Sequence, residues 1–181
     1  MTGDEFLQAI QSRSARIAVG ASAVRGRGNV GTVPAARNFL RALKLAPFGV
    51  SNRAAFAREL DRATDALRMA LPSKARHWGL ARKLLNIFLR DCLYTSYIDT
   101  AYNMQRAQAL LELPLDSITA KELRRSVGGG RLPAWPGVKH LTPEISALFQ
   151  QVATREAQRR GIARVHLDAV WWSVSRDGDA N

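Results

Sequence analysis

Cysteine, histidine, lysine and long apolar runs are all scarce in this 181-residue chain, and each shortage closes off a class of protein. Cys92 is the single cysteine, which excludes an intrachain disulfide and any four-cysteine zinc or iron–sulfur site. The three histidines, His77, His140 and His166, lie far apart without the spacing of metal ligands, so neither a structural metal nor a cofactor is expected. No apolar run approaches the roughly 20 residues needed to cross a bilayer, which excludes a membrane span. The opening "MTGDEFLQAI" carries Asp4 and Glu5 where a signal peptide would be cationic, and a cytoplasmic, nucleoid-associated location is expected.

Acidic residues are also few. Lys plus Arg number 27 against 15 Asp plus Glu, a net charge of +12. Such an excess draws polyanions to the surface, and nucleic acid is the expected partner. Only five of the basic residues are lysine (Lys44, Lys74, Lys83, Lys121 and Lys139). Arginine suits forked phosphate contacts, so each lysine calls for its own account.

Apolar residues recur at three and four positions, which predicts an all-α chain forming a single domain over 1–181, expected to be monomeric, with two helical lobes around a cleft. Helices are expected over about 4–18, 34–45, from Ser51 as cap to about Leu71, through "HWGLARKLLNIFLRD" to about Tyr97, and from Thr142 as cap to the stop at Gly161. "RGRGNVGT", 25–32, reads as a basic loop whose Arg25 and Arg27 grip phosphate. "LPLDSITAKELRRSVGGG" reads as an extended entry, a cap, a short helix and a glycine stop. "VHLDAVWWSV" is read as a last helix.

Lys83 sits early in its helix. Leu80, Leu84 and Phe88 make one stripe, while Lys83, Ile87 and Arg90 share another face beside it. There a partly desolvated amine can act as a nucleophile. "GLARKLLNIFL" resembles the second half of the helix-hairpin-helix of the endonuclease III superfamily of DNA glycosylases, with Gly79, Arg82, Lys83 and Asn86 in matching places. In "LELPLDSITAKEL", the run Pro114, Leu115, Asp116 and Ser117 resembles the family's segment that carries a catalytic aspartate opening a helix. The 33 positions from 83 to 116 lie nearer the archaeal oxoguanine glycosylases than endonuclease III.

The resemblance spans Gly79 to Leu123 and implies a hairpin and catalytic segment over 73–126. It implies DNA as the partner, as a duplex with a flipped base or as a single strand. It also implies Lys83 as nucleophile, Asp116 as the acid that stabilises the sugar cation, and phosphate contacts at Gly79, Ala81 and Arg82, with Lys74 and Arg76 added by their charge. Ala81 stands where the family has a second hairpin glycine, and His77-Trp78 where it has Leu-Pro.

Trp78, Trp135, Tyr94 and Tyr97 are the aromatic candidates for holding an extruded base, and Asp168, beside His166, is the alternative acid. The expected activity is excision of a modified base, an oxidised purine or a hypermodified cytosine of phage DNA, as in repair or bacterial defence. Abasic-site lyase activity through a lysine Schiff base is left open. The rivals are a helix-hairpin-helix module that binds nucleic acid without chemistry and a helical RNA-binding protein.

The charge excess makes a first prediction. Affinity for duplex DNA should fall steeply with salt, log K dropping by about 0.9 per contacted phosphate for each unit of log salt. A titration at several salt concentrations checks this, and a flat profile would remove nucleic acid as the partner.

Overall fold

The computed structural model describes residues 2–20, 23–24 and 30–171, and these contain helices and turns and no strand. Arg25, Arg27 and Trp172 lie outside the described residues. Helix α1 (Gly3–Ala18) opens with a reciprocal cap: the Thr2 hydroxyl accepts from the Glu5 N–H, and Glu5 accepts from the Thr2 N–H at 2.7 Å. Helix α2 spans Thr32–Arg41 and stops short of the expected Leu45, with a 3₁₀ turn at Ala46–Phe48 beyond it. Helix α3 (Arg53–Ala70) is capped by Asn52, whose side chain accepts from the Ala55 N–H at 2.9 Å, rather than by Ser51. Both residue types cap well, and the sequence alone does not choose between neighbours.

Helix α4 (Trp78–Tyr94) starts one residue before Gly79, so Lys83 stands in its second turn. It ends before Tyr97, because Thr95 takes an extended backbone and its hydroxyl donates to Asp91 O at 2.7 Å. Helix α5 (Ser96–Tyr102) follows, ending at Asn103 with φ +55°. Helix α6 is Ser117–Ser126. Helix α7 (Pro143–Arg159) is capped by Thr142, and Gly161, with φ +67°, turns the chain out of it. Helix α8 begins at 167 and is described as far as 171.

Two hydrophobic cores result. The first gathers α1 to α5 around Leu40, Phe48, Leu60, Leu84, Phe88 and Leu89. The second gathers Leu113, Leu115, Leu123, Phe149, Ala153, Leu167 and Trp171 from the C-terminal half. The central α4, with eleven of its 17 residues buried, packs on α1 and α3, and its first turn lies against the 3₁₀ turn Val138–His140 of the second half.

That contact explains Gly79 and corrects one expectation. A Cβ at Gly79 would lie 2.4 Å from the Val138 carbonyl oxygen and 2.7 Å from Leu141 Cβ. The first turn of α4 is therefore covered by protein, and buried Gly79 and Ala81 are not an open phosphate cradle. Gly79→Ala should overpack this contact at a cost of roughly 1–3 kcal/mol, lowering Tm by about 2–4 °C per kcal/mol. Thermal melts would check it, and an unchanged Tm would contradict the close approach.

Candidate active site

Along α4, Lys83, Ile87, Arg90 and Tyr94 follow one another at helical spacing on a face that leaves the first core and looks across to the second half. Ile17 and Ala18 from the last turn of α1, together with Ala23, close one side of the gap. Pro114, Asp116, Asp168 and Ala169 close the other. The cleft between them has a volume of about 360 Å³. Cavities of roughly 300 to 1,000 Å³ commonly take a small molecule or a nucleoside-sized group.

Asp116 enters from a segment fixed at both ends. Gln150 bonds both the N–H and the carbonyl of Leu113, at 3.1 and 2.8 Å, while Leu115 is buried in the second core. Asp116 then caps α6, and its two oxygens divide the work. Oδ1 accepts from the N–H groups of Ile118 and Thr119 at 3.0 and 3.1 Å. Oδ2 lies 3.6 Å from Lys83 Nζ. Lys83 Nζ also donates to the Ala23 carbonyl at 3.3 Å. The two side chains are only 11% and 21% exposed, so the pair works in a largely desolvated setting.

Asp168 lines the same cavity in a different electrostatic state. It is buried and ion-paired with Arg90, which also holds Asp91 at 3.0 Å. Burial pushes the Asp91 carboxyl above its usual range, against the pull of Arg90. Asp168 is thus engaged by a guanidinium, whereas Asp116 faces the amine, which distinguishes the two acids.

Tyr94 stands at the cavity mouth, half exposed, with its ring stacked on His166 at 5.6 Å and its hydroxyl 2.8 Å from His166 Nδ1. Burial raises the Tyr94 phenol and lowers His166, so both are neutral near pH 7. The other aromatic candidates lie elsewhere. Tyr97 packs edge-on against Phe6 at 5.0 Å. Trp78 packs on the second core beneath the Arg82 guanidinium at 5.3 Å. Trp135 packs edge-on against Phe149 at 5.5 Å and lines a separate cleft along α6.

Arg82 is likewise not a phosphate contact. It is buried, donating to Glu112 at 2.8 and 3.0 Å, to Asp61 at 2.9 Å and to Thr64 at 2.9 Å. Lys74 is exposed in the 3₁₀ turn between α3 and α4, and Arg76, also exposed, donates to Leu71 O at 3.0 Å. Ile17, Ala18, Ala23 and Ala169 line the cavity without a sequence signal, whereas Arg90 and Pro114 were seen on the Lys83 face and before Asp116 but given no role in the site. Arg90 was readable from its spacing to Lys83, while nothing in α1 marks Ile17.

Comparison with models of known protein families, with curated proteins and with solved structures finds no match.

The Arg82 network makes the site's support testable by pH. Burial pushes the Glu112 carboxyl up, but attraction to Arg82 and Arg164 and hydrogen bonds from Arg82 and Asn86 outweigh it, holding it below its ordinary 4.5. A carboxylate with a depressed folded pKa stabilises the fold fully above its unfolded value and loses that contribution as pH falls through the folded one. Glu112→Gln should cost on the order of 3 kcal/mol at neutral pH, and its deficit against the parent protein should shrink below pH 4.5. Denaturant midpoints from pH 7 down to 3 would check this; a constant gap would contradict it.

Proposed function

We propose that this chain is a DNA glycosylase of the helix-hairpin-helix type that excises a modified base, with Lys83 as nucleophile and Asp116 as its partner. The observation that carries this reading is the Lys83 amine facing a helix-capping carboxylate at 3.6 Å inside a nucleoside-sized cavity. The succession of α3, a short 3₁₀ turn and α4, with the two helices in contact, is compatible with the hairpin implied by the resemblance. The phosphate contacts it implies at Gly79, Ala81 and Arg82 are not part of the reading.

In the proposed reaction Lys83 gives up its ammonium proton to Asp116 Oδ2, the carboxylate oxygen that faces it, and the free amine attacks C1′ of an extruded nucleotide. The C1′–N bond breaks, its electron pair departs with the base, and the base takes up the proton that Asp116 received from Lys83, which restores the carboxylate. Positive charge gathering on the sugar is met by the Asp116 carboxylate, whose Oδ1 is held by two backbone N–H groups and needs no reorganisation. The C1′–O4′ bond then breaks, O4′ takes a proton from the new secondary ammonium, and a protonated imine is left between Lys83 and C1′. Ile17, Ile87 and Pro114 supply apolar walls for a base, and Arg90, Asp168 and Tyr94 supply polar groups for its edge.

Duplexes carrying oxidised purines and hypermodified cytosines would be tested for strand cleavage after alkali, and for a covalent adduct trapped with borohydride. Lys83→Gln should remove the adduct and lower excision by on the order of 10³-fold or more. Asp116→Asn should lower it by roughly 10²- to 10³-fold while the fold persists, because the amide oxygen still caps α6. Full activity of Asp116→Asn would dismiss the carboxylate's role. Excision without an adduct would replace Lys83 by water as nucleophile. Binding without excision on any substrate would favour a non-catalytic module.

A further inference from the structure

A second cleft runs along the outer face of α6. Thr119, Ala120 and Leu123 turn that helix's other face into the second core. Ser117, Lys121, Arg124 and Arg125 share the remaining face at helical spacing and line a cavity of about 280 Å³. Gly129 and Trp135 complete its wall.

Its chemistry is uneven in an informative way. Arg125 is matched by Glu122 at 3.2 Å, but no ion pair of Lys121 or Arg124 occurs among the described residues. One Arg124 nitrogen donates to Gly129 O at 3.3 Å, while its buried Nε has no acceptor. An unmet buried donor is costly, and an anionic oxygen is the ligand that relieves it best. Trp135 is half-buried, its ring braced edge-on by Phe149, so one aromatic surface is fixed beside two unmatched cations. Fixed rings next to cationic grooves are how proteins hold unstacked bases without reading sequence.

We propose that this cleft is a nucleotide subsite for single-stranded nucleic acid, in which Lys121 and Arg124 take a backbone phosphate and Trp135 stacks a base. Asp116 caps the very helix that bears the cleft, so one strand could serve both sites. The ten residues of α6 span about 15 Å, a length that a short run of single strand bridges. The inference rests on the nucleic-acid half of the function proposed above and needs none of its chemistry.

The test uses the full chain, fluorescein-labelled dT20 and an abasic 20-mer with the same phosphates. Lys121→Gln and Arg124→Gln should each weaken dT20 binding about tenfold and reduce the salt slope by about 0.7. Arg58→Gln, removing an exposed charge on α3, should cost no more than about twofold. The parent protein should prefer dT20 to the abasic strand by about fivefold or more. Trp135→Leu should erase that preference and leave the salt slope unchanged. Because Trp135 supports the second core, its melt is measured alongside, and if this variant unfolds, the two charge variants and the parent's preference decide. The proposal is overturned if Lys121→Gln and Arg124→Gln behave like Arg58→Gln, or if the parent shows no preference for bases. Excision lost in Lys83→Gln while the charge variants bind like the parent would sink the subsite alone. Normal dT20 binding and preference with no excision on any substrate would sink the glycosylase reading alone.

Discussion

The geometry of the candidate site depends on one buried ion cluster. Arg82 and Lys83 are neighbours on α4 and therefore point about 100° apart. Arg82 turns inward to Glu112, Asp61 and Thr64, and Lys83 turns into the cavity toward Asp116. Glu112 and Asp116 lie on the same linking segment. Two adjacent residues of one helix thus cross-link to two positions of one segment, the first pair buried and the second lining the site. Arg164 reinforces the junction by donating to the carbonyls of Leu110 and Leu111 at 2.9 Å each. A buried guanidinium is tolerable only when its donors are met, so partial failure of this cluster is strongly unfavourable. That intolerance fixes where Asp116 stands relative to the amine.

Much of the helical layout could be read in advance because it depends on local chemistry. Thr142 before Pro143 and Gly161 at the end of α7 each act within a turn or two, and the helix bounds follow them. The face of α4 that carries Lys83, Ile87 and Arg90 was equally plain, because helical spacing alone puts them together. Where the reading missed, the deciding contact was distant in sequence. Gly79 looks like a hairpin glycine, yet its smallness serves the approach of the Val138 carbonyl, nearly 60 residues on. Trp78 and Trp135 look like pocket aromatics because they flank the proposed catalytic segments. Their rings instead meet Arg82 and Phe149, contacts with no local signature.

The arginine excess divides in the same way. Read as composition, it suggests a chain full of phosphate contacts. Several of these side chains are structural instead: Arg82 and Arg164 hold the 110–112 region, Arg37 donates to Val19 O at 3.0 Å, and Arg90 joins Asp91 to Asp168. A planar fork of donors satisfies several carbonyl or carboxylate oxygens at once, which suits interior joints as well as phosphate. The charge available to a polyanion is thus smaller than the formal excess, and it lies on exposed faces such as that of α6.

Inside the cavity the balance is different again. Lys83 and Arg90 face Asp116 and Asp168, two cations against two acids, with Asp91 behind Arg90. A cavity so nearly neutral has little power to draw a ligand by charge. Under the proposed function, attraction of an anionic strand must come from the surrounding surface, and discrimination inside from shape and hydrogen bonding. Local neutrality also serves the lysine. An amine among uncompensated cations would be poorly held, and one pressed on a fully committed carboxylate would be locked as a salt bridge. At 3.6 Å, with Asp116 sharing its charge with the first turn of α6, Lys83 is held in place by a contact longer than a hydrogen bond. In the proposed reaction the two must close to hydrogen-bond distance before a proton can pass.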